Sequence, residues 1–106
     1  MLFTKAILKK LAQAGDGYKA DKAICKIFNP YGAGTWVIFG QDPTDPDILY
    51  GACDLGMQCV EFGGVRRSEL EEVYPLPGCG LERDLYFRHV GKPVSFFIER
   101  DNLAGV

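Results

Sequence analysis

The sequence predicts an α+β domain: an N-terminal helix, an antiparallel sheet of four to five strands, and short helices in the C-terminal half. Three observations predict it. Apolar residues recur at helical spacing only over residues 4–14, and afterwards they fall in short, often alternating runs. Turn-forming clusters separate those runs, and 13 Gly with 6 Pro argue for a turn-rich sheet and against a helical bundle. Signals for helix starts return late, as Ser68 with Glu71 and as Pro93.

Each element follows in order. Phe3, Ile7, Leu8, Leu11 and Ala14 share one helical face, with Lys5, Lys9, Lys10 and Gln13 mostly on the other. Thr4 is placed to cap this helix and Gly15 to stop it. Residues 22–28 (KAICKIF) read as a strand with Cys25 inward, and residues 35–40 (TWVIFG) as a central strand, apolar on both faces. QDPTDPD (41–47) is an acidic loop, since Pro cannot donate to a sheet ladder. Residues 48–53 and 59–63 form a hairpin turning at Gly56. Ser68 and Glu71 predict a capping box and a helix over about 69–73. A short strand is expected around 84–88. KPVSFFIERDN (92–102) leans to helix, with Pro93 at its first position, although Val94, Phe96 and Ile98 also alternate.

The 106 residues fit a single domain, 1–106, and an apolar content of 47% excludes disorder. Net charge is −2, so bulk charge favours no partner class. Its distribution is uneven: residues 1–26 carry six Lys against Asp16 and Asp21, and residues 41–72 carry eight acids against Arg66 and Arg67. No stretch approaches the about 20 apolar residues of a membrane span. The N-terminal lysines interrupt the apolar residues instead of preceding them, so no signal peptide is expected. The expected compartment is the cytoplasm, where thiols stay reduced.

The stretch GACDLGMQCVEFG (51–63) poses the main chemical question, because Cys53 and Cys59 flank Gly56. With an odd loop, Tyr50, Ala52, Val60 and Phe62 share an apolar face. Leu49, Gly51, Cys53, Cys59, Glu61 and Gly63 then share a mixed, less buried one. Directly opposed thiols could form a disulfide or half a zinc site. Cys25, Cys79 and His89 are not spaced to complete such a site, so no metal and no cofactor is expected. A Cys79–His89 nucleophilic pair would need the two brought together by the fold. The acids Asp42, Asp45 and Asp47 lack the spacing of a calcium loop. No phosphate loop, zinc-protease or hydrolase signature occurs.

SELEEV (68–73), Leu76-Pro77 and ERDLYF (82–87) together resemble a small family known only as a domain of unknown function and common on plasmids, integrative elements and phages. Thr4-Lys5, Lys9-Lys10-Leu11, Thr35-Trp36, Asp42-Pro43 and Glu61-Phe62-Gly63 are similar to its pattern as well. The resemblance implies a small α+β domain carried by mobile DNA, sometimes beside anti-restriction genes, with no catalytic residue to transfer. Cys53 and Cys59 depart from the family pattern.

The leading expectation is a non-catalytic binding module that occupies a host or phage protein, countering a defence system of the restriction or CRISPR kind. Its expected contacts are Asp42, Asp45 and Asp47, with Glu61, Arg83, Asp84 and Tyr86. A small enzyme or ligand-binding domain using Glu61, Arg83, Asp84 and Tyr86 is the alternative. Nucleic-acid binding through the N-terminal lysines is a third reading, against which the overall acidity weighs.

Overall fold

The computed structural model describes residues 1–106. Helix α1 (Lys5–Gln13) starts where the Thr4 side-chain oxygen accepts the Ile7 N–H at 3.2 Å. That bond satisfies a first-turn donor with no partner inside the helix. Gly15, at φ +74°, turns the chain away after the C-terminal cap Ala14.

Five strands follow: β1 (Cys25–Phe28), β2 (Thr35–Gln41), β3 (Ile48–Asp54), β4 (Val60–Arg66) and β5 (Glu82–Arg83). They form one antiparallel sheet in the order β4-β3-β2-β1-β5. The apolar β2 is central, as its composition demands. Helix α2 (Arg67–Glu72) leaves the end of β4 directly, and α3 (Val94–Ile98) lies near the C-terminus.

Both faces of the sheet are packed. On one face Phe3, Leu11 and Leu70 cover Cys25, Ile27, Ile38 and Leu49. On the other, Phe97, Leu103 and Val106 cover Val37, Phe39, Ala52 and Val60. Leu11, Ile27 and Phe97 are wholly inaccessible to solvent. Truncating any one to Ala costs about 2–5 kcal/mol by lost transfer energy and cavity formation.

The structure corrects several local expectations. The capping box at Ser68 does not form. Instead Asp47, 21 residues earlier, accepts the Ser68 N–H at 3.0 Å and the Ser68 hydroxyl at 2.7 Å, while its carbonyl accepts the Arg67 N–H. Helix α2 therefore begins at Arg67. The strand expected at 84–88 is displaced to Glu82–Arg83. Its cause is Asp84, whose carboxylate accepts the Tyr86 N–H at 2.8 Å and bends the chain out of the sheet. Residues 94–98 are helical, with Pro93 as the N-cap. The mixed face of the hairpin is buried at Leu49 and Gly51 and open at Glu61, at Gly63 and in the loop.

Candidate functional site

Strands β3 and β4 are joined by the five residues Leu55–Cys59, an odd loop. Asp54 fixes it from below. One carboxylate oxygen accepts the Gly56 N–H at 2.8 Å, and the other accepts the Leu103 N–H at 2.9 Å from the C-terminal segment. Gly56 (φ +84°) and Gln58 (φ +58°) supply the left-handed turns. Tyr50, Ala52, Val60 and Phe62 do share a face. Cys53, however, stands opposite Glu61, and Cys59 lies in the loop, so the two thiols are not opposed. All four cysteines are free. The Cys59 thiol donates to the Glu61 carboxylate at 3.4 Å. This bond, with Glu61's charge, pushes the Cys59 thiol upward. Burial, then the charges of Asp54 and Glu61, does the same to Cys53. Both thiols are thus held in the protonated, poorly nucleophilic form.

A trough runs across the open end of this face. One cross-strand row is Trp36–Cys53–Glu61, and the next is Ile38–Gly51–Gly63. Two glycines in one row leave a floor without side chains. The resulting cavity is about 360 Å³, walled by Trp36, Ile38, Cys53, Glu61 and Val65. A second hollow of about 240 Å³ adjoins it under the loop. Leu55 (49% exposed) and Met57 (73% exposed) stand on the rim.

The two glycines are present for different reasons. A Cβ on Gly51 would fall on the Val37 carbonyl oxygen, so the β2–β3 approach requires glycine there. A Cβ on Gly63 would meet nothing within 4 Å, and its φ is not left-handed. Nothing in the backbone demands glycine at 63; its effect is to keep the trough open.

Beside the trough, β4 is an edge strand. The Arg67 N–H donates to the Asp47 carbonyl at 2.7 Å, one step beyond the β3–β4 ladder and in its register. Alternation along an antiparallel ladder then points Glu61, Gly63 and Val65 backbone groups toward β3. It points the N–H and C=O groups of Phe62, Gly64 and Arg66 outward. The Arg66 carbonyl is taken by the first turn of α2, whose N-cap is Arg66, and no loop, turn or side-chain hydrogen bond reaches the other outward groups.

The acids of the 41–47 loop are drawn into the fold. Asp42 accepts the Thr44 hydroxyl at 2.7 Å, the Thr44 and Asp45 N–H groups, and the Tyr50 hydroxyl at 2.8 Å. These bonds, those from Thr44 foremost, lower its pKa to about 2. Asp45 accepts the Asp47 N–H, and Arg66 bridges Asp45 and Asp47 at 3.3 and 3.5 Å. The Ser68 bond chiefly holds Asp47 below the ordinary carboxylate range.

Glu61 is separated from the other charged candidates. It lies on β4, whereas Arg83 is on β5 at the opposite edge, with Asp84 and Tyr86 just beyond it. Arg83 donates to the Leu2 carbonyl at 2.6 Å, and Asp84 pairs with Lys26 at 3.5 Å. Tyr86 is 86% exposed. Cys79 lies beside Tyr31, while His89 packs against Phe96, tilted by 41°, at 4.8 Å between ring centres. No three His, Cys, Asp or Glu side chains come together to hold a metal ion. A larger depression of about 600 Å³ lies between the end of α1 and residues 90–91, rimmed by Lys10, Lys22 and Asp21.

The sequence sets Glu61, Gly51 and Gly63 on one hairpin face when the loop is odd, and gives no sign that Trp36 of β2 joins them. The usable signal was the odd loop, which sets Gly51 and Gly63 on one face of the hairpin.

No helix is long and apolar enough to cross a membrane. What the fold and site define is a small α+β domain with an apolar trough beside an open strand edge. The chain belongs to the family DUF2958, described as a protein of unknown function, whose model matches residues 2–106. No curated protein and no solved structure matches it.

Proposed function

We propose that this chain is a non-catalytic protein-binding module of a mobile genetic element, and that it occupies a host or phage protein to blunt a defence system. One observation carries the binding part. The β4 edge leaves the backbone groups of Phe62 and Gly64, and the Arg66 N–H, unpaired beside an open apolar trough. Soluble proteins normally blunt or cover such an edge, because it recruits another chain. The exposed Leu55 and Met57 extend the apolar surface past the trough. The mobile-element part is supported by the resemblance of residues 61–63, 68–73 and 82–87 to a family common on plasmids and phages.

In this reading Glu61 is the contact carboxylate. Asp42, Asp45 and Asp47 brace the frame behind it, and Arg83 and Asp84 close the far side of the sheet. Catalysis has little support, because Glu61 stands away from Arg83, Asp84 and Tyr86.

Affinity capture from the host lysate tests the proposal, with Gly64→Pro as the matched bait. Proline at an outward edge position removes a donor without breaking the β3 ladder. The expected result is a protein retained by the wild type and lost with the variant, then reproduced with the two purified components. Absence of any specifically retained protein contradicts the reading.

A further inference from the structure

We infer that the occupant of the β4 edge is an extended polypeptide segment that adds as a sixth strand, with a large apolar residue over Gly63 and a Lys or Arg opposite Glu61. The inference rests on the protein-binding reading above and specifies its partner chemistry.

Backbone geometry sets the mode. Phe62 and Gly64 each present an outward N–H and C=O, and Arg66 adds a third N–H, its carbonyl being the one that starts α2; an extended strand can pair these groups in sequence. The seven residues of β4 give that strand a full partner. Side-chain geometry sets the pattern. Residues of an added strand opposite Glu61, Gly63 and Val65 project on the trough face. The position over Gly63 finds a cavity of about 360 Å³ with Trp36, Ile38 and Val65 on its walls. The position opposite Glu61 finds a carboxylate in no ion pair, its only side-chain partner being the Cys59 thiol.

Charge supports the same sign. The segment containing β3, β4 and α2 carries eight acids against two Arg. Arg66 is already paired with Asp45 and Asp47, and Arg67 lies 3.3 Å from Glu71. A basic strand is therefore attracted during encounter and meets no free cation at its seat. A second copy of this chain fits less well. Antiparallel β4 pairing centred on Gly63 sets Glu61 opposite the other copy's Val65 and supplies no cation.

The test uses the purified full chain and fluorescent nine-residue peptides of alternating Thr, with Leu at the central position and Lys two residues away. A second set replaces Lys by Glu, and a third N-methylates the amides that would face β4. Anisotropy should show binding of the Lys set, at least tenfold weaker binding of the Glu set, and loss on N-methylation. Glu61→Lys should reverse the charge preference, and Gly64→Pro should abolish binding. Should Gly64→Pro not fold, Gly63→Leu, entering open space, should block the apolar residue alone. Indifference of binding to N-methylation and to both variants overturns the inference, as does no binding of the Lys set. Dimerisation lost with Gly64→Pro overturns it in favour of a second copy. A captured protein that Gly64→Pro still retains would leave the protein-binding reading standing and remove only this strand-addition mode.

Discussion

The sheet ends differently on its two sides. At the β5 edge the strand is two residues long, and Asp84 turns the chain away at once. Arg83 reaches back to the Leu2 carbonyl and ties the N-terminal segment alongside. Lys26, on neighbouring β1, binds the Val106 carbonyl at 2.7 Å and pairs with Asp84. At the β4 edge a seven-residue strand runs unpartnered, floored by glycine and rimmed by Leu55 and Met57. Short length and local covering are what protect an edge from strange partners. One side of this molecule has both and the other has neither, so the difference marks where an interaction is to be sought.

The paired glycines of the trough row should show the largest contrast. Gly51→Ala places a Cβ on the Val37 carbonyl and must push β2 from β3. It should cost about 3 kcal/mol or more, seen in urea denaturation. Gly63→Ala enters open space and should fall within about 0.5 kcal/mol of wild type. Equal losses at the two sites would mean the trough floor is packed rather than open.

Arg83→Ala acts on the closed edge. Loss of a charged hydrogen bond to the Leu2 carbonyl should cost about 2 kcal/mol. Amide exchange should rise in residues 1–4 and along β5, while β4 stays unchanged. A change spread evenly over both edges would show that the covering is not local.

The smallest effect concerns the loop behind the open edge. Asp42 has an ordinary value of 3.8 and a folded value of about 2, lowered chiefly by Thr44. As pH falls through 3.8 toward 2, the unfolded chain takes up the proton first, and stability declines over that window. Above it the contribution is fully present. Asp42→Asn should remove that part of the pH slope, and acid titrations of the two proteins that overlay would contradict the assignment.

Much of the frame was legible because its causes are local. Thr4 and the spacing of Ile7, Leu8 and Leu11 specify α1, and an apolar run without alternation marks β2 as central. The parity of the hairpin followed once the loop was odd, which the five residues Leu55–Cys59 make it. What was illegible depends on distant contacts. Asp47 caps α2 from 21 residues away, which no reading of Ser68 and Glu71 in isolation reveals. The bend at Asp84, with its N–H on the Lys26 carbonyl at 2.9 Å, is set partly by β1. Gly51 and Gly63 are the same letter, and only the close approach of β2 distinguishes their roles. Arg83 and Glu61 looked like parts of one site until strand order put them on opposite edges.

Residue-resolved amide exchange across β4 reads the state of the open edge itself. With an open outer edge, the Glu61, Gly63 and Val65 amides should be protected by β3. The Phe62, Gly64 and Arg66 amides should exchange fast in the free protein and slow when a strand is bound. Uniform protection along β4 in the free, monomeric protein would contradict the account, because it would mean the edge is already covered.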